Sequence, residues 1–162
     1  MYHLKRKKGV SGLKIYHMNN SLIVNAPIEE VWGFFSNPGN LAVLTPPKLK
    51  FKFMQESPSR MFPGQRITYC LSPFPGFRTR WEGEITEVIE LERFIDEQRK
   101  GPFAYWRHKH LFYEKAIGTE VRDHLNYALP LGMIGSAFQP FVQRKMTEMF
   151  TYRNEKLKEI FS

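Results

Sequence analysis

Two histidines, His108 and His110, are separated by a single lysine in the segment WRHKHLF. In an extended strand, residues two apart point to the same face, so both imidazoles lie on one face with Trp106 and Phe112. Imidazole exchanges protons near neutral pH and ligates metals, so this face can carry acid–base chemistry or hold a polar group. The chemistry depends on which side chains face the imidazoles.

A carboxylate is predicted to face the same interior from the next strand. In the segment 121–129, every second position is apolar apart from Asp123 and Tyr127. Alternation therefore points both side chains inward. A buried carboxylate without a partner would take up a proton, so we expect Asp123 to lie within hydrogen-bond or ion-pair reach of His108, of His110 or of an arginine on the last helix.

That arginine interrupts the apolar face of the C-terminal segment. At 100° per residue, one helical face collects the following apolar residues: Phe138, Val142, Met146, Met149, Phe150, Leu157 and Ile160. Arg153 projects from the middle of this face. An unpaired charge there is costly, so Arg153 either reaches an open end of the fold or pairs with Asp123.

Two further segments contribute inward residues by the same alternation. Tyr69 lies on one face with two aliphatic neighbours, and Trp81 shares its face with Gly83 and Ile85. Gly83 leaves space where a side chain would otherwise stand. The candidate ligand-binding residues are Tyr69, Trp81, Gly83, Trp106, His108, His110, Asp123, Tyr127, Met149 and Arg153.

The inward polar residues allow several interpretations. They can form a buried hydrogen-bond network in an ordinary core, or a polar patch that orients the head group of an apolar ligand. His108, His110 and Asp123 also have the composition of a two-histidine, one-carboxylate metal triad, although HxH is a loose pattern. A histidine tuned by Asp123 could act in acid–base catalysis. We assign no catalytic residue, and we expect no metal and no other cofactor.

The order of elements that positions these residues is α+β. We predict a strand over 13–24 with a bulge or kink at its polar centre, two short helices beginning at Pro27, six strands between 49 and 130, and a long helix within 136–161. Short connections make the strands pair antiparallel, and no βαβ repeat is present. A seven-stranded sheet must curve if one helix is to cover it. Space then remains between sheet and helix, and aromatic residues, which make up 15% of the chain, would line it.

Several segments resemble the SRPBCC superfamily, the START-like and birch-pollen-allergen-like helix-grip fold. These segments are APIEEVW followed by NPGNL, GPF running into WRHKH, Tyr127 with PLG, and FTYR. Within the superfamily, the chain is most similar to a bacterial group labelled cell-division inhibitor or polyketide cyclase/lipid-transport-like. The resemblance spans about Lys14 to Phe161. It implies the helix-grip fold, but it does not settle activity, because one fold hosts many functions.

Length, charge and cysteine content limit the number of domains, the binding partners and the cellular location that we expect. A chain of 162 residues fits one domain, here 13–162, preceded by a basic flexible leader, 1–12. The net charge of +8 is concentrated at the N-terminus, where five basic and no acidic residues lie within 1–28, so we expect no specific nucleic-acid binding. The single Cys70 excludes an internal disulfide, and no apolar run could span a membrane, which together predict a cytoplasmic protein. The sequence leaves the oligomeric state open.

We therefore predict a helix-grip protein that binds a small or medium apolar ligand, lipid-like or polycyclic, between its sheet and its last helix. An alternative is an enzyme of cyclase or dehydratase type that acts on such a ligand through His108 or His110. A further alternative is a protein-interaction role in the regulation of cell division.

Overall fold

The computed structural model of the chain describes residues 12–56 and 59–162. The strands are β1 (Tyr16–Val24), β2 (Lys52–Phe53), β3 (Arg66–Phe74), β4 (Phe77–Ile89), β5 (Arg93–Lys100), β6 (Tyr105–Lys115) and β7 (Gly118–Ala128). The helices are α1 (Ile28–Phe35), α2 (Gly132–Ala137) and α3 (Gln139–Ile160), with 3-10 turns at Pro38–Leu41 and Pro47–Leu49. Of the predicted leader, only Gly12 lies within the described residues.

The seven strands form one antiparallel sheet in the order β1-β7-β6-β5-β4-β3-β2. Strands β2 to β7 follow one another as a meander, and β1 joins the far edge by pairing with β7. The register shifts within the β3–β4 and β4–β5 pairs, and such irregularities increase the bend of a sheet. This confirms the predicted α+β helix-grip fold: a curved seven-stranded sheet with a long C-terminal helix and short helices after the first strand.

Of the bulge or kink predicted at the polar centre of β1, the bulge is absent. β1 and β7 keep one register from Tyr16 opposite Tyr127 to Val24 opposite Thr119. The polar centre of β1 continues the alternation instead of breaking it, because the inward-pointing Asn20 finds polar partners in the interior.

The helices begin where the sequence supplies suitable residues. Pro27 precedes α1, and two glutamates occupy its first turn, which favours the positive end of the helix dipole. α1 buries Val31, Trp32 and Phe35 against the sheet. α3 has a proline in its first turn, where a missing N–H costs nothing. The short α2 was not predicted from the sequence.

The core divides into two clusters of buried side chains. One, around Trp32 and Phe112, joins α1 to the sheet and to the end of α3. The other, around Trp81 and Trp106, packs against the middle of α3. No helix in the described part of the chain is long and apolar enough to cross a membrane.

Candidate functional site

A cavity of about 520 Å³ lies between the inner face of the sheet and α3. Strands β3 to β6 form one wall, α3 the opposite wall, and the segment after α1 closes one side. Eight of the ten predicted site residues line it: Tyr69, Trp81, Gly83, Trp106, His108, His110, Met149 and Arg153. Most of the remaining lining is aromatic or aliphatic, so the histidines and Arg153 form a polar patch on a mainly apolar surface.

The β3–β4 turn and the segment around α2 supply an exposed apolar part of the cavity lining. Phe74 and Phe77 from the turn, and Ile134 and Phe138 from the helical side, line the cavity and are 43–64% exposed. The ring of Phe74 lies 6.2 Å from that of Phe141 at the start of α3, which connects the two sides. The cavity therefore has an exposed apolar rim on this side.

Gly83 leaves room for a side chain in the cavity wall. A Cβ atom built there would lie 3.7 Å from Trp81 Nε1 and 4.0 Å from the Glu97 carbonyl oxygen, which are ordinary contacts. Gly83 lines the cavity, so a larger side chain at this position would occupy part of it. This agrees with the expectation that Gly83 leaves space where a side chain would otherwise stand.

His108 and His110 share one carboxylate oxygen. His108 Nε2 and His110 Nδ1 each lie 3.0 Å from Asp123 Oδ1, and the two imidazole centroids are 3.8 Å apart. β6 and β7 produce this contact, since His110 lies directly opposite Asp123 in the ladder. Both imidazoles are 5% exposed and Asp123 is 1% exposed, so the cluster is screened from bulk solvent.

Asp123 has two further partners. Asn20 Nδ2 donates to Asp123 Oδ2 at 3.1 Å and to Asn154 Oδ1 at 3.0 Å, which links β1 to α3. Arg153 Nη2 lies 3.5 Å from Asp123 Oδ1. Burial alone would raise the pKa of Asp123, but the Arg153 charge and the hydrogen bonds from the histidines outweigh it and hold this pKa well below its ordinary value. Asp123 is therefore an ionised carboxylate in the interior.

A second carboxylate, which the sequence analysis missed, faces the histidines from β5. Asp96 Oδ2 lies 2.9 Å from His110 Nε2 and 3.8 Å from His108 Nδ1, and Asp96 Oδ1 accepts from Trp106 Nε1 at 3.2 Å. Asp96 lines the cavity. Burial raises its pKa, but the hydrogen bonds from His110 and Trp106, together with the electrostatic interaction with both imidazoles, outweigh burial and lower it. The available signal was strand pairing, because Asp96 lies opposite His108 across the β5–β6 connection.

His108 is held mainly in its neutral form. Burial and the neighbouring His110 lower its pKa, and the hydrogen bond to Asp123 offsets only part of this effect. A neutral imidazole that donates from Nε2 to Asp123 keeps a lone pair on Nδ1, which faces Asp96. That nitrogen can accept a hydrogen bond or ligate a metal.

Arg153 is buried and lies beside Asp123, which is the second of the two positions expected for it. Its Nη2 lies 3.2 Å from His110 Nδ1, and its guanidinium carbon lies 5.2 Å from the ring centre of Phe35 and 5.9 Å from that of Phe150. Arg153 Nε has no hydrogen-bond partner among the described residues. The ion pair with Asp123 and the two aromatic rings compensate for the burial of this charge.

Asp123 and Tyr127, two of the predicted ligand-binding residues, lie behind the cavity wall. Asp123 is enclosed by the histidines, Asn20 and Arg153. Tyr127 is 2% exposed; its ring stacks on Tyr16 at 5.5 Å. Alternation correctly placed both side chains on the inner face, but other side chains cover them there, so they support the wall without forming its surface.

Tyr69 and Trp81 form an aromatic wall beside the polar patch. Their rings are stacked, with centroids 5.9 Å apart and planes 12° apart. Burial, and then the negative charge of Asp96, raise the pKa of Tyr69 well above its ordinary value. Its hydroxyl is therefore a neutral donor at physiological pH.

Comparison with known proteins identifies relatives of the fold. Residues 24–151 match the family described as "Polyketide cyclase / dehydrase and lipid transport". No curated protein matches the sequence. The Zhui aromatase/cyclase from Streptomyces sp. R1128 is similar in structure, with 12% sequence identity, a TM-score of 0.71, and coverage of 90% of this chain and 93% of that one.

Two other solved structures extend the comparison. Norcoclaurine synthase from Thalictrum flavum, in complex with dopamine and hydroxybenzaldehyde, has 12% identity, a TM-score of 0.68, and coverage of 99% of this chain and 94% of that one. The protein TTHA0849 from Thermus thermophilus has 20% identity, a TM-score of 0.65, and coverage of 90% of this chain and 95% of that one. At these identities, the similarity concerns the fold.

Proposed function

This chain belongs to the polyketide cyclase/dehydrase and lipid transport family, within the SRPBCC helix-grip superfamily, and from this premise we propose that it binds a small or medium apolar ligand in its cavity. The observation that carries the proposal is the cavity itself. Its volume of about 520 Å³ falls within the range of small-molecule sites, and a polar patch lies within its mainly apolar wall, which is the usual composition of such sites.

The apolar wall supplies most of the affinity. Trp81, Trp106 and Met149 line the cavity beside many aliphatic and aromatic neighbours, and each ligand CH₂ buried among them contributes about 0.8 kcal/mol. A lipid-like chain or a polycyclic ring system fits this surface. Affinity then rises with the apolar size of the ligand until the cavity is full.

The polar patch sets selectivity. Tyr69, His108, His110 and Arg153 offer donors and acceptors to a head group at one end of the ligand. Asp96 adds a carboxylate whose side chain is 26% exposed. Because this negative charge repels an anion and accepts a hydrogen bond from a hydroxyl, we infer that the preferred head group is a neutral hydroxyl or phenol rather than a carboxylate.

A second candidate function is acid–base catalysis on the same ligand, of the cyclase or dehydratase type. The observation that favours it is the His108–Asp123 pair, which leaves His108 Nδ1 facing Asp96 at the cavity wall. Such an imidazole can take a proton from a substrate carbon or hydroxyl, while Asp123 fixes its orientation. A cavity of this size favours both ligand functions over a protein-interaction role.

A thermal-shift screen tests the binding function. Fatty acids, fatty alcohols, sterols and polycyclic phenols are added to the full chain, and the midpoint of unfolding is recorded. A ligand that binds only the folded state raises the midpoint, and the rise grows with the ratio of its concentration to its Kd. We expect shifts from hydroxyl-bearing apolar compounds. The absence of a shift with every class of compound would contradict the proposal.

A further inference from the structure

We propose that Asp96, His108 and His110 form a binding site for one divalent transition-metal ion of the Zn²⁺ type, with at least one coordination position open to the cavity. The sequence led us to expect no metal, and its candidate triad used Asp123. In the structure the third ligand is Asp96, and Asp123 instead orients the imidazoles.

The three ligand atoms are close enough to share an ion. One atom from each residue lies within 4.8 Å of the other two. Asp96 Oδ2 is 2.9 Å from His110 Nε2 and 3.8 Å from His108 Nδ1. Two ligand atoms on a tetrahedral zinc ion are about 3.4 Å apart, given bond lengths of about 2.0 to 2.1 Å, so small rotations of these side chains suffice. Two imidazoles and one carboxylate are a donor set that Zn²⁺ and Fe²⁺ accept.

Asp123 orients both imidazoles for this role. It contacts the nitrogen of each ring that faces away from Asp96: His108 Nε2 and His110 Nδ1, each at 3.0 Å from Oδ1. A carboxylate that accepts the N–H of a ligating histidine fixes its tautomer and raises its basicity. Asp123 does so here for His108, whose Nδ1 lone pair faces Asp96. It also lies 3.0 Å from His110 Nδ1, from which it can accept a hydrogen bond once an ion occupies Nε2.

The local charge favours a cation. With neutral imidazoles, Asp96 and Asp123 contribute two negative charges and Arg153 one positive charge. In the absence of a metal, a proton must lie between His110 Nε2 and Asp96 Oδ2 to hold them at 2.9 Å. A metal ion at Nε2 would take the place of that proton, which would move to His110 Nδ1 beside Asp123 Oδ1, and the added positive charge would favour an oxygen atom of the ligand in the open position.

The site is open on the side of the cavity. All three ligating residues line the cavity, and the Asp96 side chain is 26% exposed, whereas Asp123 behind them is 1% exposed. Three protein ligands with a fourth position free is the arrangement of reactive rather than purely structural zinc sites. The inference does not depend on the apolar ligand, because metal binding is measured without one.

Metal titration of the full chain tests the proposal. Metal-stripped protein is titrated with Zn²⁺ by calorimetry and with Co²⁺ by visible absorption. We expect one ion per chain and Co²⁺ d–d bands far stronger than those of the hexaaquo ion. Asp96→Asn removes a ligand charge but retains an acceptor for Trp106 Nε1, and we expect it to weaken Zn²⁺ binding by about 100-fold. Asp123→Asn should weaken binding about 10- to 100-fold.

The control removes histidines on the outer face of the sheet. His17 and His124 bond to Asn126 and Asn19 on that face. The double variant His17→Ala/His124→Ala should bind Zn²⁺ as tightly as wild type. Loss of binding in this control, unchanged binding in Asp96→Asn, or wild-type Co²⁺ spectra identical to those of free Co²⁺ would each overturn the proposal. The spectra of the wild type decide the matter even if a variant fails to fold.

Discussion

Asp123 Oδ1 lies 3.0 Å from His108 Nε2, and this contact joins the two central strands of the polar patch in an interior where Asp123 is 1% exposed. His110 and Arg153 both contact the same carboxylate oxygen. The contact therefore supports both the wall of the cavity and the orientation of its imidazoles. Because Asp123 is shielded from solvent, water cannot compensate the charge of Arg153 if this carboxylate is removed, so the stability of the fold depends on it.

Removing the Asp123 carboxylate should strongly destabilise the protein. Asp123→Ala leaves Arg153 as a buried, uncompensated charge and removes the acceptor for both histidines, so we expect a loss of about 3 to 5 kcal/mol in the free energy of unfolding. Urea denaturation followed by circular dichroism measures it. Glu155→Ala, at an exposed position of α3, serves as the control and should stay within about 0.5 kcal/mol of wild type. A loss below about 1 kcal/mol in Asp123→Ala would contradict the assigned network.

Arg153 and Asp123 should be energetically coupled. Arg153→Met removes the charge that Asp123 compensates, so the double variant Asp123→Asn/Arg153→Met should lose less stability than the two single variants added together. We expect an interaction energy of about 1 to 3 kcal/mol from the double-mutant cycle. Additive effects would show that the 3.5 Å contact between the two groups contributes nothing.

Filling the space at Gly83 should weaken ligand binding without unfolding the protein. Gly83→Leu extends a side chain into the cavity beside Trp81, so any ligand in the screen that stabilises wild type should produce a smaller shift. Gly33→Leu adds the same group on the exposed side of α1, where nothing lies within 4 Å, and should leave the shift unchanged. Equal shifts in wild type and in Gly83→Leu would place the ligand elsewhere.

Asp96 should determine the charge preference of the head group. In wild type, a fatty alcohol should bind more tightly than the fatty acid of the same chain length, because Asp96 repels the carboxylate. In Asp96→Asn, the preference for the alcohol over the acid should fall by about tenfold or be reversed, because the charge on residue 96 is removed. The measurement is isothermal titration of both ligands with metal-free protein. A ratio that is the same in both proteins would exclude Asp96 from the head-group site.

Stability should fall at alkaline pH, and Tyr69 should cause part of the loss. The folded-state pKa of Tyr69 lies above its unfolded value of about 10. Above that pH, the unfolded chain releases a phenolic proton that the folded protein retains, so the free energy of unfolding decreases as pH rises. Tyr69→Phe should flatten this decline in urea titrations between about pH 9 and about pH 11.5. An unchanged slope would show that this hydroxyl is not buried.

The elements and faces of this fold follow from local patterns. Period-two alternation placed His108, His110 and Asp123 on one interior face, and helical periodicity placed Arg153 opposite them, because each pattern acts within one element. Asp96 was missed because β5 carries polar residues on both faces, so alternation does not distinguish its inner side. Only its pairing with β6 does.

Local sequence patterns do not predict which distant segments pair or how deeply a side chain is buried. Asn20 is 103 residues from Asp123 in sequence, and the β1–β7 pairing that joins them brings together distant parts of the chain. Alternation also identifies a face but not what covers it, which is why Asp123 and Tyr127 were expected on the cavity surface and lie behind it. The polar centre of β1 suggested a bulge because its interior partners come from these distant elements.

Native mass spectrometry tests the central claim, that the cavity is a ligand-binding site, most directly. The full chain, Gly83→Leu and Gly33→Leu are each incubated with a total lipid extract, exchanged into volatile buffer and analysed intact. We expect a one-to-one complex with a hydroxyl-bearing apolar molecule in wild type and Gly33→Leu, and a much weaker complex in Gly83→Leu. Bare protein in all three samples, or equal complexes in all three, would contradict it.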